Sequence, residues 1–263
     1  MGDETLITET RGAVRWLTVN RPARRNAYTG ALFDQMIEAL AEADSDPSVL
    51  AVVLTGAGDK AFSTGADLKP DTEYSPLGLG EGELVHPAVR YFLAADAFSK
   101  PLIARVNGDA MAGGMGVLAM CDLAVAADHA RFALPEVRIG LFPVLIVAAL
   151  RRIIPRRVMM EMAITGEFFD AVFARDISLV NYVIPLAELD AKVEWLTDRI
   201  VNKAPMAVRR GKHAMRHMWD MNLDDSLAHA QSELVQLFAT RDHAEGLAAF
   251  NEKRTPDWPS LKD

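Results

Sequence analysis

Hydrophobic positions follow two different spacings along the first two thirds of the chain. Two segments, residues 28–44 and 87–98, carry apolar side chains at the 3.6-residue spacing of a helix, with Leu32, Met36 and Leu40 on one face of the first. Four other segments are short aliphatic runs of strand length: residues 14–20, 49–55, 102–106 and 123–126. Strands separated by helices require crossover connections, so the pattern predicts an α/β fold.

From residue 156 onward the spacing is helical, and we expect the last third of the chain to be entirely α-helical. The main predicted helices cover residues 186–201, 204–218, 223–240 and 243–252. Residues 71–87 have no clear period and are rich in glycine and proline, which predicts a loop. That loop is either an ordinary surface connection or a flap over a substrate.

Composition and charge narrow the class of protein. The 263 residues are 50% hydrophobic and 24% charged, which is typical of a globular chain that needs no disulfide or structural metal. A net charge of −8 argues against nucleic acid and anionic membranes as partners, so an anionic ligand would need a local basic patch. The single Cys121, an acidic N-terminus and the lack of a spanning apolar run predict a cytoplasmic protein.

Two weak motifs have simpler explanations than ligand binding. His213 and His217 have the spacing of a metal pair, but their neighbours are cationic and would repel a metal ion, so we predict no metal site. Gly114-x-Gly116-x-x-Ala119 matches the dinucleotide fingerprint, yet several residues separate it from the strand that ends near Val106. Close packing of a glycine-rich helix start explains it better, and an NAD-dependent oxidoreductase is a distant alternative.

Two segments rich in small residues, 60–69 and 106–116, indicate an oxyanion hole. Glycines between a strand and a helix let the backbone approach a ligand, and the N–H groups of a helix start point outward with positive dipole. The turn at Gly65-Ala66-Asp67 would supply a second N–H group. Two such donors stabilise negative charge on a carbonyl oxygen by about 3–4 kcal/mol each.

Four ordered motifs over about residues 5–200 resemble those of the enoyl-CoA hydratase/isomerase superfamily, the crotonases. They are the two segments above together with Asn20-Arg21-Pro22 followed by Asn26-Ala27, and residues 132–140 with Pro135-Glu136. The resemblance implies a spiral of ββα turns, followed by helices that assemble trimers, often paired as hexamers. On that basis residues 1–200 form an acyl-CoA-binding catalytic core and residues 201–263 a helical assembly region.

The resemblance also implies residue roles. The backbone N–H groups of Ala66 and Gly113 would hold the thioester oxygen of an acyl-CoA, and coenzyme A would enter only as part of the substrate, with no separate cofactor. Positions on the coenzyme side are Arg24, Ala27, Ala66, Asp67, Leu68, Lys69 and Gly113. A basic stretch offers either phosphate contacts or a helix face exposed to solvent or to another subunit: Lys203, Arg209, Arg210, Lys212 and Arg216.

One departure from the family pattern bears on the chemistry. Hydratases of this family use two glutamates on one water, whereas this chain has the second, Glu136, and carries Gly116 at the position of the first. The apolar residues 141–147 are expected to raise the pKa of Glu136. A single glutamate suffices to move a proton in double-bond isomerisation, which we therefore favour. The alternatives are a hydratase with Asp67 or Asp109 as second acid, and a non-catalytic acyl-CoA-binding protein.

Overall fold

Two sheets of mainly parallel strands form the centre of the molecule. The computed structural model describes residues 4–68 and 84–262. In chain order the strands are β1 (Leu6–Arg11), β2 (Val14–Val19), β3 (Ala51–Gly56), β4 (Ala61–Ser63), β5 (Leu102–Val106), β6 (Asp109–Met111), β7 (Leu123–Ala127), β8 (Arg131–Ala133), β9 (Phe169–Asp170) and β10 (Tyr182–Ile184). The larger sheet has the order β1-β2-β3-β5-β7-β10 and the smaller β4-β6-β8-β9. Only the pairs β1–β2 and β8–β9 are antiparallel.

The helices complete a repeating ββα path. They are α1 (Gly30–Ser45), α2 (Pro87–Ala97), α3 (Gly113–Ala119), α4 (Val144–Leu150), α5 (Arg156–Thr165), α6 (Ala171–Asp176), α7 (Leu189–Val201), α8 (Pro205–Met218), α9 (Leu223–Phe238) and α10 (Arg241–Glu252). Each of the units β3–β4–α2, β5–β6–α3 and β7–β8–α4 places its first strand in the larger sheet and its second in the smaller. This confirms the α/β spiral of ββα turns.

The central strands of the larger sheet, β3, β5 and β7, are buried on both faces, which explains their continuous aliphatic runs. On β3, Val52 and Leu54 join a core that includes residues of α1, α2 and α3, whereas Ala51 and Val53 join a second core with α7. The cap of α1 is local: Thr29 accepts a hydrogen bond from the N–H of Leu32 at 3.2 Å, so the helix begins at Gly30.

The expectation that the last third contains helices alone is wrong. Strand β10 pairs in parallel with β7 and completes the larger sheet, and the two-residue β9 pairs with β8. These strands are too short to show an alternating period, and β10 is only half-buried, so neither stands out from the helical spacing around it.

Four other expectations concern the loop at residues 71–87, membrane-spanning segments, the division of the chain and its location. The predicted loop at residues 71–87 lies mostly outside the described residues, so both alternatives for it, a surface connection and a flap over a substrate, stay predictions. Within residues 4–68 and 84–262, no helix is both long and apolar enough to cross a membrane. The division near residue 200 and the cytoplasmic location stay predictions.

Candidate active site

The turn after β4 holds the N–H of Ala66 in a fixed direction. The oxygen of Gly65 accepts a hydrogen bond from the N–H of Tyr28 at 2.7 Å, and the N–H of Asp67 donates to the oxygen of Tyr28 at 2.9 Å. These two bonds flank Ala66, whose own N–H has no acceptor among the described residues. The Oγ of Ser63 accepts from the N–H of Gly65 at 3.1 Å and tightens the turn.

The start of α3 brings a second N–H group to the same place. Ala112 has φ 47° and ψ −122°, a strained combination for a residue with a Cβ, and its N–H donates to the oxygen of Ala133 at 3.1 Å. Gly113 follows as the first helical residue, where an N–H has no partner inside the helix. A Cβ on Gly113 would lie 3.6 Å from the nitrogen of Ala66, so the two amides are neighbours, as an oxyanion hole requires.

Gly65 is what permits this close approach. Its φ is +87°, and a Cβ there would lie 2.6 Å from the nitrogen of Gly113 and 2.9 Å from the Cβ of Ala112. Any larger residue would push the two amides apart. The glycine signal in the sequence therefore has a direct geometric cause.

Glu136 lies in a short 3₁₀ helix, Pro135–Ile139, that continues from β8. Because β8 ends at Ala133, whose oxygen holds the backbone beside Gly113, this helix is anchored next to the oxyanion amides. Burial raises the pKa of the Glu136 carboxyl, as expected from the apolar segment that follows it. Its Oε2 is buried and has no hydrogen-bond partner within the described residues.

Apolar side chains occupy the space beside Gly116, the position that matches the missing glutamate. A Cβ at Gly116 would lie 2.6 Å from Cζ of Phe92 and 2.9 Å from Cδ1 of Ile146. Gly114 is equally confined, since its Cβ would lie 2.3 Å from the oxygen of Ser63. The glycines of the dinucleotide-like fingerprint therefore serve close packing, as predicted.

A family model described as enoyl-CoA hydratase/isomerase matches residues 9–261. The chain belongs to this family. A short-chain-enoyl-CoA hydratase from Clostridium acetobutylicum is 34% identical over 95% of both chains, and a 2,3-dehydroadipyl-CoA hydratase from Escherichia coli is 34% identical over 96% of this chain and 98% of its own. The crystal structure of an enoyl-CoA hydratase from Mycobacterium smegmatis, 35% identical, matches with a TM-score of 0.90 over 97% of this chain and 99% of that one. The chain is thus an enzyme of the hydratase/isomerase type.

The two aspartates that could replace the missing glutamate are both held by arginines in this member of the family. Asp109 is buried, and its Oδ2 lies 2.7 Å from Nη2 of Arg131. Asp67 is also buried, with Oδ2 2.7 Å from Nη2 of Arg21. A carboxylate that neutralises a neighbouring arginine is poorly suited to proton transfer, and these contacts disfavour both as a second acid.

Most residues predicted on the coenzyme side lie on two neighbouring backbone turns, residues 24–27 and 66–68. Arg24 ends a 3₁₀ helix, Pro22–Arg24, and the buried Ala27 accepts a hydrogen bond from Nη1 of Arg21 at 2.5 Å. The following residue bridges to Ala66, so the turn containing Ala27 lies beside the oxyanion turn. Leu68 is 55% exposed, and Lys69 lies outside the described residues.

The basic stretch of α8 serves the protein's own structure. Nζ of Lys212 lies 2.7 Å from Oδ2 of Asp122, and Nε of Arg209 donates to Oγ of Ser99 at 2.9 Å. The side chain of Arg210 pairs with Glu233 of α9, and that of Arg216 with Asp96 of α2. The contacts of Arg209, Lys212 and Arg216 join α8 to the core, and that of Arg210 joins α8 to α9, so these four cations are poor candidates for binding coenzyme phosphates.

The predicted absence of a metal site concerned His213 and His217, whose rings are 4.3 Å apart. No group of three metal-ligating side chains occurs in the described parts of the chain.

Sequence reasoning missed Phe92 and the Arg21–Asp67 pair, and it placed Ile146 beside Glu136 without its contact at Gly116. An apolar residue in an amphipathic helix looks like any core residue, so no signal marks Phe92 as a neighbour of the site. Arg21 was visible in the Asn-Arg-Pro motif, but its partner Asp67 is 46 residues away in sequence.

Proposed function

We propose that the chain binds acyl-CoA thioesters and isomerises 3-enoyl to 2-enoyl thioesters, with Glu136 as the proton carrier. The Glu136 carboxylate removes a proton from C2, and the electron pair moves onto the thioester oxygen as a dienolate. The protonated Glu136 then delivers the proton to C4, and the double bond moves from C3=C4 to C2=C3. No atom is gained or lost, and no second acid is needed.

The adjacent amides of Ala66 and Gly113 support the enolate step. Both N–H groups lack acceptors in the described part of the chain, and both are held by backbone geometry rather than by mobile side chains. Donors fixed in advance stabilise developing charge without having to reorganise during the reaction. The thioester oxygen is the group that would accept from both.

The carboxyl of Glu136 carries the proposal. Its Oε2 is buried and without a partner among the described residues, so nothing there competes with a substrate for the proton. Burial raises its pKa, which makes the ionised form a stronger base and brings it nearer to neutral pH. A group that first accepts and then returns a proton works best with such a pKa.

Hydration of a 2-enoyl thioester is the second candidate, because the two curated relatives named above are called hydratases. In this chain it would need a second acid in place of Gly116. Asp67 and Asp109 lie within the two segments that form the oxyanion site, residues 60–69 and 106–116, and each is paired with an arginine. A third candidate, acyl-CoA binding without catalysis, predicts no turnover at all.

Product analysis with paired substrates separates these candidates. The purified enzyme is incubated with 3-enoyl and 2-enoyl thioesters of several chain lengths, and products are resolved by chromatography and mass. We expect the 3-enoyl thioesters to be converted to 2-enoyl products of unchanged mass. Addition of water to the 2-enoyl thioesters at a comparable or higher rate would overturn the isomerase proposal, and binding without any product would favour the non-catalytic one.

We also propose that the chain assembles as a homotrimer or as a hexamer of two trimers. Four large apolar residues lie on one face of α9 and are exposed: Leu223, Leu227, Leu234 and Phe238. An exposed apolar stripe of this kind marks an interaction surface. Leu227→Asp should lower the mass measured by light scattering after size-exclusion chromatography. Ser232→Asp, on a different face of α9, should leave it unchanged, and equal masses for wild type and Leu227→Asp would count against a role of this face in assembly.

A further inference from the structure

The side chains beside Gly116 stand close to the place where the oxyanion forms. Gly113 and Gly116 are three residues apart on α3 and so lie on the same helix face. In a helix the Cα–Cβ bond tilts toward the N-terminus, so the space beside Gly116 opens toward the amide of Gly113. That space contains Cζ of Phe92 and Cδ1 of Ile146, at 2.6 and 2.9 Å from an ideal Cβ.

Phe92 and Ile146 form an apolar wall beside Gly116, and they come from two different elements. Phe92 comes from α2 and is half-buried against the main core, and Ile146 comes from α4 and is 7% exposed. Neither side chain has a hydrogen-bond donor or acceptor. A water held at this position would need about two to four polar partners, which the wall does not offer.

We infer that Phe92 and Ile146 are specificity-determining residues that exclude water and a second acid from the enolate. Hydration adds the oxygen of water to C3 and a proton to C2, and the water has to be held and deprotonated beside the substrate. Isomerisation needs neither, since the proton removed from C2 returns at C4. This inference rests on the proposed isomerisation and assigns its selectivity to the wall.

The wall also means that the missing acid cannot be restored by one substitution. In Gly116→Glu the new side chain meets the phenyl ring and the Ile146 methyl group at once. In the double variant Phe92→Ala/Gly116→Glu the space of the ring is open to the carboxylate and to a water. A positioned general base contributes roughly 10²–10⁴-fold to such a step, so partial restoration is measurable.

The test measures the ratio of hydrated to isomerised product for wild type, Gly116→Glu, Phe92→Ala and the double variant. A ratio is insensitive to the amount of folded enzyme, so a merely structural role of Phe92 would not move it. We expect the ratio to stay low in Gly116→Glu and to rise at least about tenfold in the double variant. This is less than the roughly 10²–10⁴-fold of a well-positioned base, because the new carboxylate has no partners to hold it in place. Phe92→Ala alone should raise it by less, because water enters without a base.

Three further variants complete the experiment. Phe92→Leu/Gly116→Glu removes Cζ while leaving a smaller cavity, and it takes the place of the alanine double variant if that one does not fold. Ile146→Ala/Gly116→Glu tests the other half of the wall. Gly211→Glu is the matched control, since Gly211 lies within α8 and a Cβ there has no atom within 4 Å; its ratio should equal that of the wild type.

The outcomes separate this inference from the function on which it rests. If the wild type isomerises and the double variants keep the wild-type ratio, the wall does not determine selectivity and this inference fails alone. If Gly116→Glu by itself hydrates as fast as the double variants, Phe92 is not an obstacle and the inference also fails. If the wild type hydrates instead of isomerising, the proposed function fails and this inference fails with it.

Discussion

Replacing Gly65 by alanine tests the oxyanion hole through its geometry. The new Cβ would lie 2.6 Å from the nitrogen of Gly113 and 2.9 Å from the Cβ of Ala112, so the backbone before α3 has to move. Loss of one oxyanion donor costs roughly 10²–10³-fold in kcat, or about 3–4 kcal/mol. A left-handed backbone with a Cβ adds about 1–2 kcal/mol of strain at φ +87°.

The assay combines kcat on a 3-enoyl thioester with the free energy of unfolding. Gly12→Ala is the matched control, because Gly12 has φ +59° and a Cβ there would have no atom within 4 Å. It should lose about 1–2 kcal/mol of stability from strain and keep its kcat. If Gly65→Ala keeps the kcat of the wild type, the displaced amide contributes nothing to catalysis and Ala66 and Gly113 do not form an oxyanion hole.

Three further predictions concern the buried carboxyl groups of Glu136 and Asp67. Because the proton carrier must start ionised and burial raises its pKa, activity should fall as the pH drops through a value above the usual carboxyl range; a pH–rate profile without this limb would contradict it. Because the pKa of Glu136 is raised in the folded protein, ionisation of this carboxyl lowers the free energy of unfolding as the pH rises through the folded-state pKa. Glu136→Gln removes that penalty, so it should raise the free energy of unfolding at neutral pH and leave it unchanged in acid. Asp67→Asn should destabilise the fold by about 1.5–3 kcal/mol, because the partly buried Arg21 guanidinium loses its charged hydrogen-bond partner. Asp176→Asn, in an exposed pair, should cost under about 1 kcal/mol, and both values are measured by denaturant unfolding.

The oxyanion hole could be predicted from sequence because it is formed by backbone N–H groups and close backbone contacts. Gly65 and Gly113 are recognisable because glycines between a strand and a helix let two backbone segments come close together. The aliphatic strands were equally visible, since a sheet buried on both faces needs apolar residues at consecutive positions. Glu136 was identified through the resemblance of residues 132–140 to the family motif, and the apolar segment after it predicted the direction of its pKa shift.

Other features depend on which elements pack together, and sequence alone does not carry that information. Phe92 is 24 positions from Gly116 and reads as an ordinary core residue, yet its ring closes the space for a second acid. The cations of α8 read as a candidate anion site, and only tertiary packing shows Lys212 and Arg216 paired with acids of the core. Short strands such as β10 have too few residues to show the alternating hydrophobic pattern of a strand, so the sequence does not predict them.

The most direct test of the account is turnover of a 3-enoyl thioester by wild type and Glu136→Gln, with thioester affinity measured on the same preparations. The glutamine keeps the size of the side chain and cannot accept a proton. We expect a loss of turnover of at least about 10²-fold, with affinity essentially unchanged because the amides of Ala66 and Gly113 remain in place. If Glu136→Gln keeps wild-type turnover, Glu136 is not the proton carrier, and the proposed mechanism is contradicted.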